Sequence, residues 1–175
     1  MYVLDTDHMS LLEWGGDDST RLRERLADLD SDQLYVTIVS YEEQVRGWMN
    51  YLAKAKTTEQ QVVAYARLRH QLANYCETSL LDFSNDAAEK YDALRSSKSR
   101  VGSMDLRIAS IVLANDMILL TRNTVDFERV PGLKFEDVSH GANRGNGWSG
   151  GSSVLGGRQH LLYASSPRRR CDNDI

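Results

Sequence analysis

The chain has 175 residues, 41% hydrophobic and 26% charged, so one globular domain with its own core is expected, and no apolar run approaches a membrane span. Its net charge of −4 is uneven, because residues 141–175 hold five Arg and two Asp, which leaves residues 1–140 with −7. That balance argues against nucleic-acid binding through a basic surface, although carboxylates around a cation would reverse the charge that a polyanion meets.

Apolar, β-branched runs alternate with helical patterns along the chain. Strands are predicted at 1–4, 33–39, 79–83, 117–121 and 133–138. Helices are predicted at 9–14, from 19 or 20 to 29, from Ser40 onward, at 58–75, at 85–94 after a Ser84 cap, and from a Ser103 cap onward. This alternation predicts parallel β-α units in an α/β domain over residues 1–139.

The composition changes at His140. Residues 140–175 are rich in Gly, Ser and Arg and cannot bury a core, so they are expected to form a disordered tail. Cys76 and Cys171 have no ligand spacing, and the N-terminus has no basic region or cleavage site. A reducing cytoplasm without a signal peptide is therefore the expected setting.

Four acidic stretches lie where predicted strands end or helices begin. In parallel sheets, sites lie beyond the carboxyl ends of the strands, so these side chains are expected to converge. Converging carboxylates favour a hard cation such as Mg²⁺ or Mn²⁺. The candidate residues are Asp5 and Asp7, Glu42 and Glu43, Asp105, and Asn123 with Asp126.

Each stretch also has a purely structural explanation. Asp5 and Asp7 fit a turn or a helix N-cap, although in an extended segment they would share one face. Ser40 and Glu43 fit a capping box, and Asp105 suits the positive end of a helix. Asn123 and Asp126 suit a turn, and Arg122 and Arg129 suit a solvated surface. The prediction of a site therefore depends on the set, because no Gly-rich phosphate loop, Ser-nucleophile elbow or Cys/His cluster offers another chemistry.

Five segments of the chain stand out together: 2–7 (YVLDTD), 38–47 (IVSYEEQVRG), 102–109 (GSMDLRIA), 120–127 (LTRNTVDF) and 130–133 (VPGL). In the order and spacing of these segments the chain resembles PIN-domain ribonucleases, specifically the VapC-type toxins of bacterial toxin–antitoxin pairs. The resemblance covers about residues 1–139 and implies a PIN-like three-layer domain, with a central parallel sheet of about five strands flanked by helices.

The resemblance implies Mg²⁺-dependent hydrolysis of RNA, with Mn²⁺ as a possible substitute. The implied metal ligands are Asp5, Asp105 and Glu43, since the family's second acid lies four residues before a glycine, here Gly47. The fourth position is open between Asp126, which is implied to be catalytic, and Asn123, where some relatives have Asp. Further implied candidates are Asp7 and Thr121 at the cluster and Arg122 on the RNA backbone.

Two partners are implied as well: a second copy of the chain, and a small antitoxin that blocks the site. Two other classes of function stay open. A haloacid-dehalogenase-type phosphotransferase would use Asp5 as nucleophile, but it usually has Thr or Val at the position of Met9. A non-catalytic PIN-like binding module would use the acids only as caps and turns.

Overall fold

The computed structural model describes residues 1–97 and 100–137, so the predicted tail at 140–175 lies outside the described residues. Its five strands are β1 (Tyr2–Leu4), β2 (Leu34–Thr37), β3 (Ser79–Leu81), β4 (Ile118–Leu120) and β5 (Lys134–Glu136). The helices are α1 (Thr6–Trp14), α2 (Asp17–Leu26), α3 (Ile38–Lys54), α4 (Thr58–Glu77), α5 (Asn85–Ser96), α6 (Ser103–Ala114) and α7 (Thr124–Phe127), with a 3₁₀ turn at Ser31–Gln33. None of the helices in these ranges is both long and apolar enough to cross a membrane.

The strands form one sheet in the order β3-β2-β1-β4-β5, and all neighbouring pairs are parallel. Strand β1 is therefore central, with Leu4 in register with Val36 of β2 and with Leu120 of β4. The predicted α/β fold with a central five-stranded parallel sheet is confirmed. The carboxyl ends of β1, β2 and β4 consequently open at the same edge of the sheet.

Helices cover both faces of the sheet. Side chains alternate along a strand, so Val3 and Leu119 join a core with α5 and α6, whereas Leu4 and Leu120 join a second core with α1 and α2. Both cores consist of fully or nearly fully buried side chains, mostly aliphatic, with Phe127 in the first core and Tyr75 in the second. This arrangement gives the predicted three layers.

The start of α3 differs from the prediction. The Thr37 hydroxyl accepts a hydrogen bond of 3.0 Å from the Ser40 N–H, so Thr37 is the N-cap and α3 begins at Ile38. The predicted strand through Val39 and the Ser40–Glu43 capping box are therefore wrong. Ile38 and Val39 favour strands because they are β-branched, but the threonine cap places them in a helix. Glu43 is consequently free of a capping role.

Other helix starts also lie earlier than predicted. Helix α1 begins at Thr6 with Asp5 as its N-cap, so Asp7 is helical and not extended. Helix α2 begins at Asp17 after Gly16, and α6 has Gly102 at its N-cap position, so Ser103 does not cap it. The predicted Ser84 cap of α5 is confirmed, because its side chain accepts a hydrogen bond from the Ala87 N–H.

Candidate active site

The site begins where two central strands end side by side. Because Leu4 and Leu120 are in register, the residues that follow them are neighbours, and the Asp5 N–H donates to the Leu120 carbonyl at 3.0 Å. The Thr121 hydroxyl donates to Asp5 Oδ2 at 2.7 Å, and the Thr6 N–H donates to Asp5 Oδ1 at 2.7 Å. Asp5 is only 4% exposed. Both oxygens of this buried carboxylate therefore accept a hydrogen bond from the protein.

Helix α3 supplies the second acid. Thr6 donates through its hydroxyl to Glu43 Oε2 at 2.5 Å, which holds this half-buried side chain beside the Asp5 strand end. Glu42 is exposed and forms an ion pair with Arg46 one turn later. Glu43, and not Glu42, therefore lines the cleft described below.

Helix α6 supplies the third acid. Asp105 lies in its first turn, and a Cβ atom at Gly102 would stand 3.2 Å from Asp105 Oδ2, which is closer than most real contacts of that type. A side chain at position 102 would therefore displace the Asp105 carboxylate. The glycine leaves the room in which that carboxylate lies.

The segment after β4 supplies an amide to the cleft and places a carboxylate behind it. Asn123 lines the cleft, and its Nδ2 donates to Asp126 Oδ2 at 3.1 Å, which leaves the carbonyl oxygen as its acceptor. Asp126 is not among the lining residues, and its Oδ1 accepts from Arg129 at 3.0 Å. The Thr121 hydroxyl also accepts from the Asn123 N–H at 3.0 Å, so Thr121 links Asp5 to this segment.

These side chains meet in one open cleft of about 570 Å³. Its lining contains no Lys or Arg among the described residues, and five of its members are acidic. The lining residues are Asp5, Thr6, Asp7, Ser10, Glu13, Trp14, Glu43, Gln44, Gly47, Trp48, Tyr51, Gln71, Asp105 and Asn123.

Two of the carboxyl groups have raised pKa values. Burial raises the pKa of Asp5 to about 7, against the hydrogen bonds from Thr121 and Thr6, and the charges of Asp7 and Asp105 raise it further. Burial likewise raises the pKa of Asp105 to about 6, helped by the charges of Glu43, Asp126 and Asp7. The acids are therefore close enough to oppose each other's ionisation.

The donor set suits a hard cation, because it consists of carboxylate, amide and hydroxyl oxygens. As the side chains lie, residues 1–97 and 100–137 contain no group of three or more His, Cys, Asp or Glu that could hold a metal ion. Carboxylates that repel each other are expected to stay apart and to take hydroxyl partners, as Asp5 and Glu43 do. The chemistry of the residues fits Mg²⁺ or Mn²⁺, and the two raised pKa values mark negative charge that a cation would compensate.

Arg122 and His8 lie outside the cleft lining. Arg122, the candidate RNA contact, is exposed next to the strand end, and its role stays a prediction. His8 is fully buried, and burial lowers its pKa to about 4, so it is neutral at pH 7.

Several lining residues were not predicted from the sequence. Thr6 orients Glu43 through its hydroxyl. The rings of Trp14, Trp48 and Tyr51 contact each other and form an aromatic cluster. A signal did exist for Trp14, a large apolar residue placed directly before Gly15-Gly16 at the predicted end of a helix. Its partner on α3 could not be found without the packing of the helices.

The fold is similar to that of known proteins. The family model of the PIN domain matches residues 2–133. VapBC2 from Rickettsia felis, solved with a DNA fragment from its promoter, is 26% identical with a TM-score of 0.58, over 77% of this chain and 96% of that one.

Two further solved structures show the same fold at lower identity. VapBC-1 from nontypeable Haemophilus influenzae is 22% identical with a TM-score of 0.62, over 79% of this chain and 98% of that one. A toxin-antitoxin complex from Klebsiella pneumoniae is 20% identical with a TM-score of 0.58, over 79% and 98% of the two chains. A search of curated proteins finds no match. Because the family model covers well over half of the sequence, the chain belongs to the PIN domain family.

Proposed function

We propose that this protein is a metal-dependent endoribonuclease and the toxin of a toxin–antitoxin pair. The observation that carries the proposal is the convergence of Asp5 from the end of β1, Glu43 from α3 and Asp105 from α6 in one cleft at the carboxyl edge of the sheet. The family membership and the 26% identical VapBC2 support the same conclusion.

Asp5, Glu43 and Asp105 would hold Mg²⁺, or Mn²⁺ in its place, with Asn123 contributing a neutral carbonyl oxygen. When bound, such an ion lowers the pKa of a coordinated water and offsets charge on the phosphate. Asp126 would act through Asn123, whose amide it holds, and Asp7 would add negative charge at the rim of the cleft.

The surrounding residues prepare these acids for that role. Thr121 and the Thr6 N–H fix the two oxygens of Asp5, while the Thr6 hydroxyl fixes one oxygen of Glu43. Fixed donors keep a buried carboxylate in one orientation, so less reorganisation is needed when an ion and a substrate arrive.

The substrate would be single-stranded or looped RNA, since sequence-specific recognition of RNA mostly targets unpaired bases. Arg122, exposed beside the strand end, would contact the RNA backbone. A small antitoxin that covers the cleft and a second copy of the chain are the proposed protein partners. These partners follow from the resemblance to VapC-type toxins and from the VapBC2 relative.

The test is cleavage of RNA by the purified protein with and without Mg²⁺. Wild-type protein is expected to cleave in Mg²⁺ and to stop in EDTA, and Asp105→Asn is expected to be inactive at any Mg²⁺ concentration. Glu42→Gln is the matched control, because Glu42 is the neighbouring acid that faces solvent and pairs with Arg46. Cleavage by Asp105→Asn at the wild-type rate would contradict the proposal.

The same measurements separate the alternatives. A non-catalytic binding module would bind no Mg²⁺ or Mn²⁺ in calorimetry and would cleave nothing. A phosphotransferase of the haloacid dehalogenase type would form an aspartyl-phosphate on Asp5, but both oxygens of Asp5 accept hydrogen bonds, and the PIN family match gives that class no support.

A further inference from the structure

Helices α1 and α3 run side by side in the same direction away from the acidic site. They touch at successive turns of α1: Thr6 bonds Glu43, Ser10 accepts from Gln44 at 3.3 Å, and Trp14 packs against Trp48. Thr6 and Trp14 are eight residues apart, which corresponds to about 12 Å along a helix. The cleft therefore has a carboxylate end and an aromatic end.

The aromatic end, here called the aromatic platform, consists of Trp14, Trp48 and Tyr51. The Trp14 and Trp48 rings are within 14° of parallel with centroids 6.4 Å apart, and Tyr51 meets Trp48 edge-on at 5.6 Å. The two indoles are therefore stacked, at a centroid distance within the range that aromatic pairs prefer. Trp14 is 73% exposed, so most of its ring surface is open to the cleft and to solvent.

Charged and polar side chains of α4 contact the platform and the residue next to it. The Arg67 guanidinium lies 5.8 Å from the Trp48 ring centroid and also bonds Glu13 at 3.3 Å. The Glu13 side chain is only 5% exposed, and it also accepts a hydrogen bond from Gln71. Residue 13 precedes Trp14, so these contacts of Glu13 fix the end of α1 that carries the exposed indole.

Gly47 lies in the cleft lining between the two ends. It lies four residues after Glu43 and four before Tyr51, so all three share one face of α3. A Cβ atom there would meet nothing within 4 Å, so packing does not require glycine at this position. Glycine weakens a helix interior, and here it leaves backbone exposed in the cleft between the carboxylates and the platform.

We propose that the aromatic platform stacks an unpaired base of the RNA substrate while the neighbouring phosphodiester lies at the carboxylates; this proposal rests on the proposed ribonuclease function. The cleft lining has five acids and no described Lys or Arg, so no basic side chain of the lining strengthens the binding of RNA through its phosphates. Stacking of a base on an indole needs no charged group and tolerates any base, so it can strengthen RNA binding in an acidic cleft. The Arg67 cation beside Trp48 would add an attraction for the face of a stacked base. Arg67 keeps its ion pair with Glu13 in this arrangement.

The experiment measures binding of a labelled single-stranded oligoribonucleotide of about ten nucleotides in EDTA, by fluorescence anisotropy. Trp14→Ala is expected to weaken binding on the order of tenfold, and Trp14→Phe is expected to retain most of the affinity. Trp14→Leu, which keeps the apolar surface without the ring, is expected to resemble Trp14→Ala. Tyr65→Ala is the control, because Tyr65 is 61% exposed on α4 and lies outside the cleft.

A second set of substrates and conditions tests the contact itself. An oligonucleotide with abasic positions is expected to bind wild-type protein weakly and to be insensitive to Trp14→Ala. The loss caused by Trp14→Ala is expected to be the same at low and high salt, because no charge is removed. In Mg²⁺, the same variant is expected to raise KM on the order of tenfold and to leave kcat within a factor of about two.

The outcomes distinguish this proposal from the one on which it rests. Wild-type protein that binds RNA through Trp14 but cleaves nothing in Mg²⁺ would remove the ribonuclease function and leave the stacking contact intact. Wild-type cleavage with an unchanged affinity and KM in Trp14→Ala would overturn the stacking contact alone. Unchanged RNA affinity with loss of a protein partner would assign the platform to that partner, which also overturns the proposal.

Discussion

Thr121 donates a 2.7 Å hydrogen bond to Asp5, 116 residues away in the chain, and this bond joins the ends of two adjacent parallel strands. Both side chains are buried. The bond lowers the pKa of Asp5, but burial raises it more, so the carboxyl titrates near pH 7. The group that would hold a cation is thus also one that destabilises the ion-free protein.

Ion-free protein is expected to lose stability as the pH rises from about 4 to about 7. The folded pKa of Asp5 lies above its ordinary value, so the folded state binds more protons in that window and its stability falls as they leave. For Asp5 the change from 3.8 to about 7 corresponds to on the order of 4 kcal/mol. Denaturant unfolding in EDTA of wild type and Asp5→Asn, from pH 4 to pH 8, checks this.

The difference between the two proteins isolates the Asp5 contribution from all other titrating groups. Asp5→Asn is expected to lose stability less steeply with pH. Parallel pH profiles for the two proteins would contradict the raised pKa.

Mg²⁺ is expected to stabilise the protein much more at pH 8 than at pH 5. Protons and the cation compete for Asp5 and Asp105, whose pKa values are raised to about 7 and about 6. At 100 times its dissociation constant, an ion that binds only folded protein adds about 2.7 kcal/mol. Thermal unfolding at both pH values, with Mg²⁺ or EDTA, measures the stabilisation by the ion. Ca²⁺ at equal concentration separates selective binding from general charge screening.

Thr121→Val is expected to destabilise the protein by about 1–3 kcal/mol, because a buried carboxylate oxygen loses its donor. The pKa of Asp5 should rise further, so Mg²⁺ binding should require a higher pH than in wild type. Thr20→Val is the control, since Thr20 is exposed on α2 and a change there is expected to stay within about 0.5 kcal/mol. Equal stability of the two variants would show that the Thr121 bond does not support Asp5.

The sequence predicted the sheet and the acidic edge well, because apolar runs and strand-end acids are local signals. It treated a cap and a site as alternatives for Asp5, whereas the structure has Asp5 as the N-cap of α1 in the acidic cleft. For Glu43 it left a capping box and metal binding as alternatives, and the capping box does not form, because Thr37 caps α3.

The aromatic platform could not be predicted in the same way. Trp14 and Trp48 lie on different helices, and only the parallel packing of α1 and α3 brings their rings together. The room that Gly102 leaves for Asp105 is likewise a tertiary distance, which a glycine before a helix does not reveal by itself. Pairings between distant segments depend on packing, and local patterns carry no information on them.

Gly102→Ala is expected to weaken Mg²⁺ binding and cleavage while changing stability little. The added methyl group would stand 3.2 Å from Asp105 Oδ2, so the carboxylate must move, and a flexible side-chain end moves at low energetic cost. Calorimetric titration with Mg²⁺ and unfolding curves check both parts. Gly47→Ala is the control, because its methyl group meets nothing within 4 Å and should stabilise α3 by up to about 1 kcal/mol without changing Mg²⁺ affinity.

Asn123→Asp is expected to add a fourth carboxylate to the proposed metal ligands Asp5, Glu43 and Asp105 and to tighten Mg²⁺ binding. Asn123 Nδ2 now donates to Asp126 at 3.1 Å, so the new carboxylate would face another acid and would destabilise the ion-free protein by repulsion. The double variant Asn123→Asp with Asp126→Asn should recover stability in EDTA and keep the tighter binding, because the amide and the acid then exchange places. Calorimetry with Mg²⁺ and unfolding in EDTA measure both effects. If Asn123→Asp leaves Mg²⁺ affinity and ion-free stability unchanged, residue 123 does not face the cation, and the fourth position belongs elsewhere.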